Sequence, residues 1–268
     1  MSQRTQKRTQ KPIRSDMGWS TADSITVCGL DLASEILGKM SLADMAWLEI
    51  KGAKPNAQQS VVFNALLCTL VEHGITPMAL ATRLVYLGAP ESSQAAIAAG
   101  LCGLGSTFAG TAEGAARLLQ SVLGTTATPK TAPDLAATAR DIVAEHRARK
   151  AIIPGIGHPI HKPVDPRTPR LFAIAKENGY AGPYVELMQL IQQEAERVSG
   201  KVLPLNATGA MGAILCELDI DWRLARGIAV IGRAVGLVGH IAEELRNPIA
   251  AEIWGRIEEE AGAHARPA

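Results

Sequence analysis

One segment rules out a continuous helical rod. From Ile152 through Arg167 the chain reads Ile152-Ile153-Pro154-Gly155-Ile156-Gly157-His158-Pro159-Ile160-His161-Lys162-Pro163-Val164-Asp165-Pro166-Arg167. Prolines lack the backbone N–H and clash with the preceding helical turn, and glycines gain nothing from helix formation, so no helix tolerates this density of breakers. The segment is expected to be a stiff loop that presents backbone amides and holds its side chains in set directions. It brings His158, Lys162 and Arg167 close in sequence. That combination suits an anionic substrate whose carbonyl oxygen needs a hydrogen-bond or proton donor.

Helix signals lie on both sides. Ser41 and Asp44 form a capping box ahead of Met45, Leu48 and Ile50. Thr76-Pro77 places a capping hydroxyl before a proline at the first helical position. The helix that follows is expected to present Leu80, Leu84, Val85 and Leu87 on one side and to stop at Gly88. Further helices are expected over Thr131–Arg149, Tyr184–Val198 and Trp222–Leu245, with a loop over 124–130. Aromatic residues are only 4% of the chain, Ala, Leu and Ile dominate, and alternating β-branched runs are scarce. The expected fold is all-α.

At 268 residues with 47% hydrophobic and 20% charged side chains, the chain suits a soluble globular protein of one large domain or two smaller ones. A net charge of +1 gives no reason to expect a nucleic-acid or membrane partner. No apolar run is read as membrane-spanning, no secretory signal is apparent, and a cytoplasmic location is expected. Cys28, Cys68, Cys102 and Cys216 form no Cys-x-x-Cys pair and are expected to be buried, reduced thiols. Residues 1–14, with Arg4, Lys7, Arg8, Lys11 and Arg14, read as a solvated basic tail; a polyanion-binding or targeting segment is the alternative.

His158 is the first candidate for chemistry, because a glycine and a proline hold it on the loop and its imidazole can donate to an oxygen or take a proton back. The bland alternative is a loop histidine bonded to backbone. His158 and His161, with Asp165, have metal-ligand spacing, but Pro159 and Pro163 restrict their convergence, so no metal is expected and His161 is read as a solvent-side neighbour. Arg167 and Arg233 suit bidentate carboxylate recognition. Arg233 sits in an apolar neighbourhood, where Glu243 or Glu244 is the structural partner to expect if it binds no ligand. Gly103-Leu104-Gly105 is too short for a dinucleotide fingerprint, so no nicotinamide cofactor is inferred.

The loop, with its Pro-Gly-aliphatic-Gly-His run followed by Asp165-Pro166-Arg167, resembles the citrate synthase family. Glu72-His73-Gly74, the segment Gly105–Gly110 and the segment Gly232–His240 carry the resemblance further, over most of the chain from about Gly29 to Arg246. It implies an all-α fold with a large helical domain (15–110 and 221–268), a smaller inserted one (111–220), and a homodimer. It implies that His158 binds the carbonyl of a 2-oxo acid, that His73, Arg167 and Arg233 bind carboxylates, and that Ile153, Pro154, Gly155, Ile156, Gly157 and Lys162 bind coenzyme A. Arg246 matches a carboxylate ligand of the partner subunit, one place out of register in Arg246-Asn247-Pro248.

Two departures narrow the reading. Phe108 stands where citrate synthases carry a catalytic histidine, and citryl-CoA lyases also have Phe there; Glu113 matches an acidic residue of that branch. Thr208, in Asn206-Ala207-Thr208, stands where the family has a catalytic Asp, and a hydroxyl is too weak a base to replace it. Asn206 remains to orient a water or a substrate oxygen, and Glu217 and Asp219 are the nearby acids. The expectation is a citryl-CoA lyase-like enzyme acting on a coenzyme A thioester and a 2-oxo acid, with no metal or redox cofactor. The alternative is a homologue that binds these ligands without turnover.

Overall fold

The computed structural model describes residues 13–125, 128–129 and 134–265. The basic residues from Arg4 to Lys11, and the expected helix start at Thr131, lie outside them. The chain forms two compact units, one ending at Ser60 and the other beginning at Val61.

In the first unit, β1 (Gly18–Ser20), β2 (Ile25–Val27) and β3 (Leu30–Asp31) form an antiparallel meander, with Trp19 opposite Thr26 and Thr26 opposite Asp31. Strands this short leave no alternation for a sequence pattern to register. A π-helical turn over Leu32–Ile36 leads to α1 (Leu42–Lys51), whose first turn carries the expected capping box: Asp44 N donates to Ser41 Oγ and Ser41 N to Asp44 Oδ2. Helix α2 (Ala57–Thr69) begins at the end of this unit.

The second unit is helical. After α2 come α3 (Pro77–Gly88), α4 (Ser93–Cys102), α5 (Gly110–Leu123), a hairpin of β4 (Gly124–Thr125) and β5 (Thr128–Pro129), α6 (Leu135–Ala148), α7 (Arg167–Glu177), α8 (Pro183–Ser199), α9 (Ala207–Glu217), α10 (Ala225–Arg246) and α11 (Ala250–Gly262). The hairpin occupies the expected loop at 124–130. Helix α9 is apolar on all sides, so it lies at the centre of a group, packed by α5, α7 and α8. Helix α10 forms a second group with α3, α4 and α5.

The inward face of α3 is not the leucine face. Met78, Ala79, Thr82 and Arg83 are buried, whereas Leu84 and Leu87 are exposed. Arg83 decides the rotation. It is fully buried; its Nη1 donates to Glu244 Oε2 at 2.6 Å, its Nη2 pairs with Glu243, and its Nε donates to His240 Nδ1 at 3.2 Å. A buried cation must meet its counter-charges, so the turn of α3 follows the carboxylates of α10. Glu243 and Glu244 are thereby committed to Arg83 and not to Arg233.

Within residues 222–246 an 18-residue window has a mean hydropathy of 1.4, and the helix is long and apolar enough to cross a membrane, contrary to the sequence reading. Half of that window is buried within the protein, and the helix also buries Arg233, His240 and Glu244, which is how a core helix sits. All four cysteines are free, but Cys68 and Cys102 are exposed and only Cys216 is buried.

Small residues set the helix spacing. A Cβ on Gly236 of α10 would fall 1.8 Å from the Val71 carbonyl oxygen, while one on Gly239 would meet nothing within 4 Å. Gly236→Ala should therefore lower stability by about 1–3 kcal/mol through overpacking. Gly239→Ala should raise it by up to ~1 kcal/mol through helix propensity. Urea unfolding of the two variants checks the opposite signs.

Candidate active site

The proline-rich loop is a loop, and its hydrogen bonds go to the segment entering α9. Gly157 N donates to Pro204 O at 2.7 Å, Asn206 N to Gly155 O at 2.9 Å, and Asn206 Nδ2 to Gly157 O at 2.7 Å. Gly155 has a φ of 86° and lies so close to Gly209 that a Cβ would sit 2.5 Å from its Cα. Only glycine meets both demands. On the other side, a Cβ on Gly114 of α5 would fall 2.9 Å from Pro154.

Asp165 fastens the far end of the loop. It is fully buried and accepts from Arg167 Nε at 3.0 Å, Arg167 Nη2 at 2.8 Å and Ala207 N, at the start of α9, at 2.9 Å. Burial alone would raise its pKa, but the guanidinium and the backbone donors prevail and hold it at about 2.

Three imidazoles meet beside this loop. His158 and His161 lie 4.3 Å apart between ring centroids, and His73, from the α2–α3 connection, lies 6.0 Å from the first and 5.3 Å from the second. His161 is thus half-buried against two other rings, not a solvent-side neighbour. The backbone around His73 is held by Glu72, whose Oε1 accepts from His73 N at 2.8 Å and Gly74 N at 2.6 Å. His158 Nδ1 accepts from Ile160 N at 3.1 Å and His161 N at 2.9 Å. Its proton is consequently on Nε2, which makes neutral His158 a donor at that atom. Burial first, then the neighbouring His161 and Arg167 charges, lower the pKa of His158; burial and Arg167 do the same for His73.

A nitrogen from each ring lies within 4.8 Å of the others, so the cluster has the reach of a metal site. Its chemistry does not fit one. Asp165 is taken up by Arg167 and Ala207, and His158 offers either an Nδ1 already facing two N–H groups or an Nε2 that bears the proton. Ligation through Nε2 would move the ring proton to Nδ1, against those two donors.

His73 and His158 line a cavity of about 920 Å³. Its walls also carry Arg117, Arg167, Arg226 and Arg233 against a single carboxylate, Glu113. Glu113 Oε2 lies 2.8 Å from Arg226 Nε, and the Arg117 guanidinium stacks 5.5 Å over the Trp222 ring. Arg233 is 5% exposed, and its Nε and Nη1 have no hydrogen-bond partner among the described residues. Leaving buried guanidinium donors unmade is costly, and an anion entering the cavity would remove that cost.

Ile153–Gly157, Asn206 and Thr208 line the same cavity. The Thr208 hydroxyl bonds Asn206 Oδ1 and Thr111 Oγ1, both at 2.7 Å, and no carboxylate joins them among the described residues. Phe108 lines the cavity, 43% exposed. Lys162 and Arg246 are exposed and do not line it. Nor do Glu217 and Asp219; Glu217 caps α8 by accepting from Tyr184 N and Val185 N. Arg117, Arg226 and Thr111 escaped the sequence reading because they carry no motif and reach the wall only through the packing of α5 and α10.

Residues 26–255 match the family described as "Citrate synthase, C-terminal domain". The chain belongs to the citrate synthase family. It is similar to the citryl-CoA lyase of Hydrogenobacter thermophilus, at 33% identity, 88% of each chain and a TM-score of 0.78, which puts it with the short citryl-CoA lyase-like branch. The fold is shared with the ATP citrate lyase of Methanothrix soehngenii, solved with citrate and coenzyme A, at 22% identity, 89% of this chain, 40% of that one and a TM-score of 0.71. A probable ATP-citrate synthase of Dictyostelium discoideum is 22% identical over 84% of this chain, which spans 37% of that protein. The citrate synthase fold therefore stands, all-α but for the two small sheets.

The Asp165 anchor has a pH signature. Its folded pKa lies below the ordinary 3.8, so its stabilisation is full above pH ~5 and fades as pH falls towards about 2. The shift corresponds to about 2 kcal/mol. Asp165→Asn should lose at least that much at neutral pH and show a flatter acid limb; urea unfolding across pH ~2–6 measures both.

Proposed function

We propose that the chain makes or cleaves the carbon–carbon bond between an acyl-coenzyme A and a 2-oxo acid, as a citryl-CoA lyase-like enzyme. The observation that carries this reading is the pairing of a fixed Nε2–H donor at His158 with unpartnered donors on buried Arg233 in one cationic cavity. Arg167, Arg233 and His73 hold the carboxylates. The His158 Nε2–H donates to the oxygen that interconverts between ketone and tertiary alkoxide, and the two backbone donors at Nδ1 support negative charge gathering on the ring. In cleavage, the bond between the carbinol carbon and the thioester α-carbon breaks. Its electron pair passes to the thioester enolate, the hydroxyl oxygen becomes a ketone as its proton leaves to water, and the enolate carbon takes a proton from water.

Backbone at Ile153–Gly157, close to α5, receives the coenzyme, and Arg117 and Arg226 supply charge for its phosphates where Lys162 stands apart. Residues 111–220, spanning α5 to α9, would form the smaller domain of a cytoplasmic homodimer. The second reading, binding without turnover, draws on Thr208, whose hydroxyl is tied to Asn206 and Thr111 in place of a carboxylate.

Calorimetry with citrate and coenzyme A, followed by a citryl-CoA cleavage assay, separates the two. Under the first reading both ligands bind, and His158→Ala lowers cleavage by about 10²–10⁴-fold. Binding by an inert wild type, with cleavage appearing in Thr208→Asp, establishes the second. Failure to bind either ligand would refute both.

A further inference from the structure

His161 has no part in the reaction above, yet it touches both rings that do. Its backbone N–H donates to His158 Nδ1 at 2.9 Å, and its Nε2 lies 3.0 Å from His73 Nε2. Two nitrogens at that distance share one proton. If His73 owned it, neutral His73 would have only a lone pair left, at Nδ1, and would repel an anion. If His161 owns it, His73 carries its proton on Nδ1 and meets the anion as a donor.

We propose that His161 is a positioning residue that fixes the His73 proton on Nδ1, making this corner of the cavity specific for an acceptor-only group, a carboxylate. Three observations carry the direction. The cavity collects arginines, and Nε and Nη1 of Arg233 are without partners among the described residues. The neighbouring His158 is already turned into a donor by groups on its far nitrogen. His73 has no protein partner at Nδ1 among the described residues, its backbone N being held separately by Glu72. One residue thereby sets both rings: His158 through its backbone, which any substitution except proline keeps, and His73 through its side chain.

That division supplies an internal control. In imidazole nitrogen–proton NMR spectra of histidine-labelled protein, assigned with His73→Asn and His158→Asn, wild type with citrate should show His73 protonated at Nδ1 and His158 at Nε2. In His161→Ala, His73 should move to Nε2–H or a mixture while His158 stays as it was. His161→Gln, whose amide N–H reaches a similar point, should restore the Nδ1–H form. Citrate affinity should fall by about tenfold in the alanine variant and recover with glutamine. Nε2–H at His73 in wild type, an unchanged His73 in His161→Ala, or a joint change of both rings would overturn the proposal. The carboxylate ligand rests on the function proposed above. If citrate does not bind at all, that reading falls, and spectra of the free protein still decide the tautomer.

Discussion

A buried carboxylate holds the site in one piece. Asp165 joins the proline-rich loop to α9 through Ala207 N and aligns Arg167 through two side-chain bonds. Without it, Arg167 would lose its orientation, and the backbone that carries His158 would lose its attachment at that end. The charge is tolerated in the interior because every donor around it is aimed at it, which is the condition under which a buried ion is stable. Gly155 and Gly209 complete the junction by letting two backbones approach where no Cβ fits.

The opposite wall is positioned by a second buried ion group. Arg83 ties α3 to α10, and His240, whose Nδ1 takes the Arg83 N–H, lies 3.0 Å from Glu72 Oε2. Glu72 in turn holds the His73 backbone. The cavity-lining His73 is thus linked, contact by contact, to an arginine of α3 that does not itself line the cavity. The same network explains why α3 exposes leucines: the charge requirement outranks the burial of Leu84 and Leu87.

Function in this cavity turns on protons whose positions are decided by neighbours. The two imidazoles are kept neutral by burial and by adjacent cations, so each has one N–H to offer. Backbone N–H groups make His158 a donor, and the Thr208 hydroxyl is tied to Asn206 and Thr111. Donors for an anion thus converge on the cavity at His158 and Arg233, while no carboxylate joins Thr208 among the described residues.

Much was legible in the sequence because it was local. The density of prolines and glycines at 152–167 forces a loop, Ser41 and Thr76 cap their helices by short-range geometry, and the spacing His158 to Arg167 keeps both on one segment whatever surrounds it. The family resemblance added His73, Asn206 and Thr208, which line one cavity with Arg233. Tertiary structure alone decided the partners of Arg83, the convergence of His161 on His73, and the arrival of Arg117, Arg226 and Thr111 at the wall. Each of these joins residues far apart in the chain, and their side chains are polar types that are ordinarily exposed. Local patterns report which face of a helix is apolar; they carry no information about which distant charge a buried guanidinium must reach.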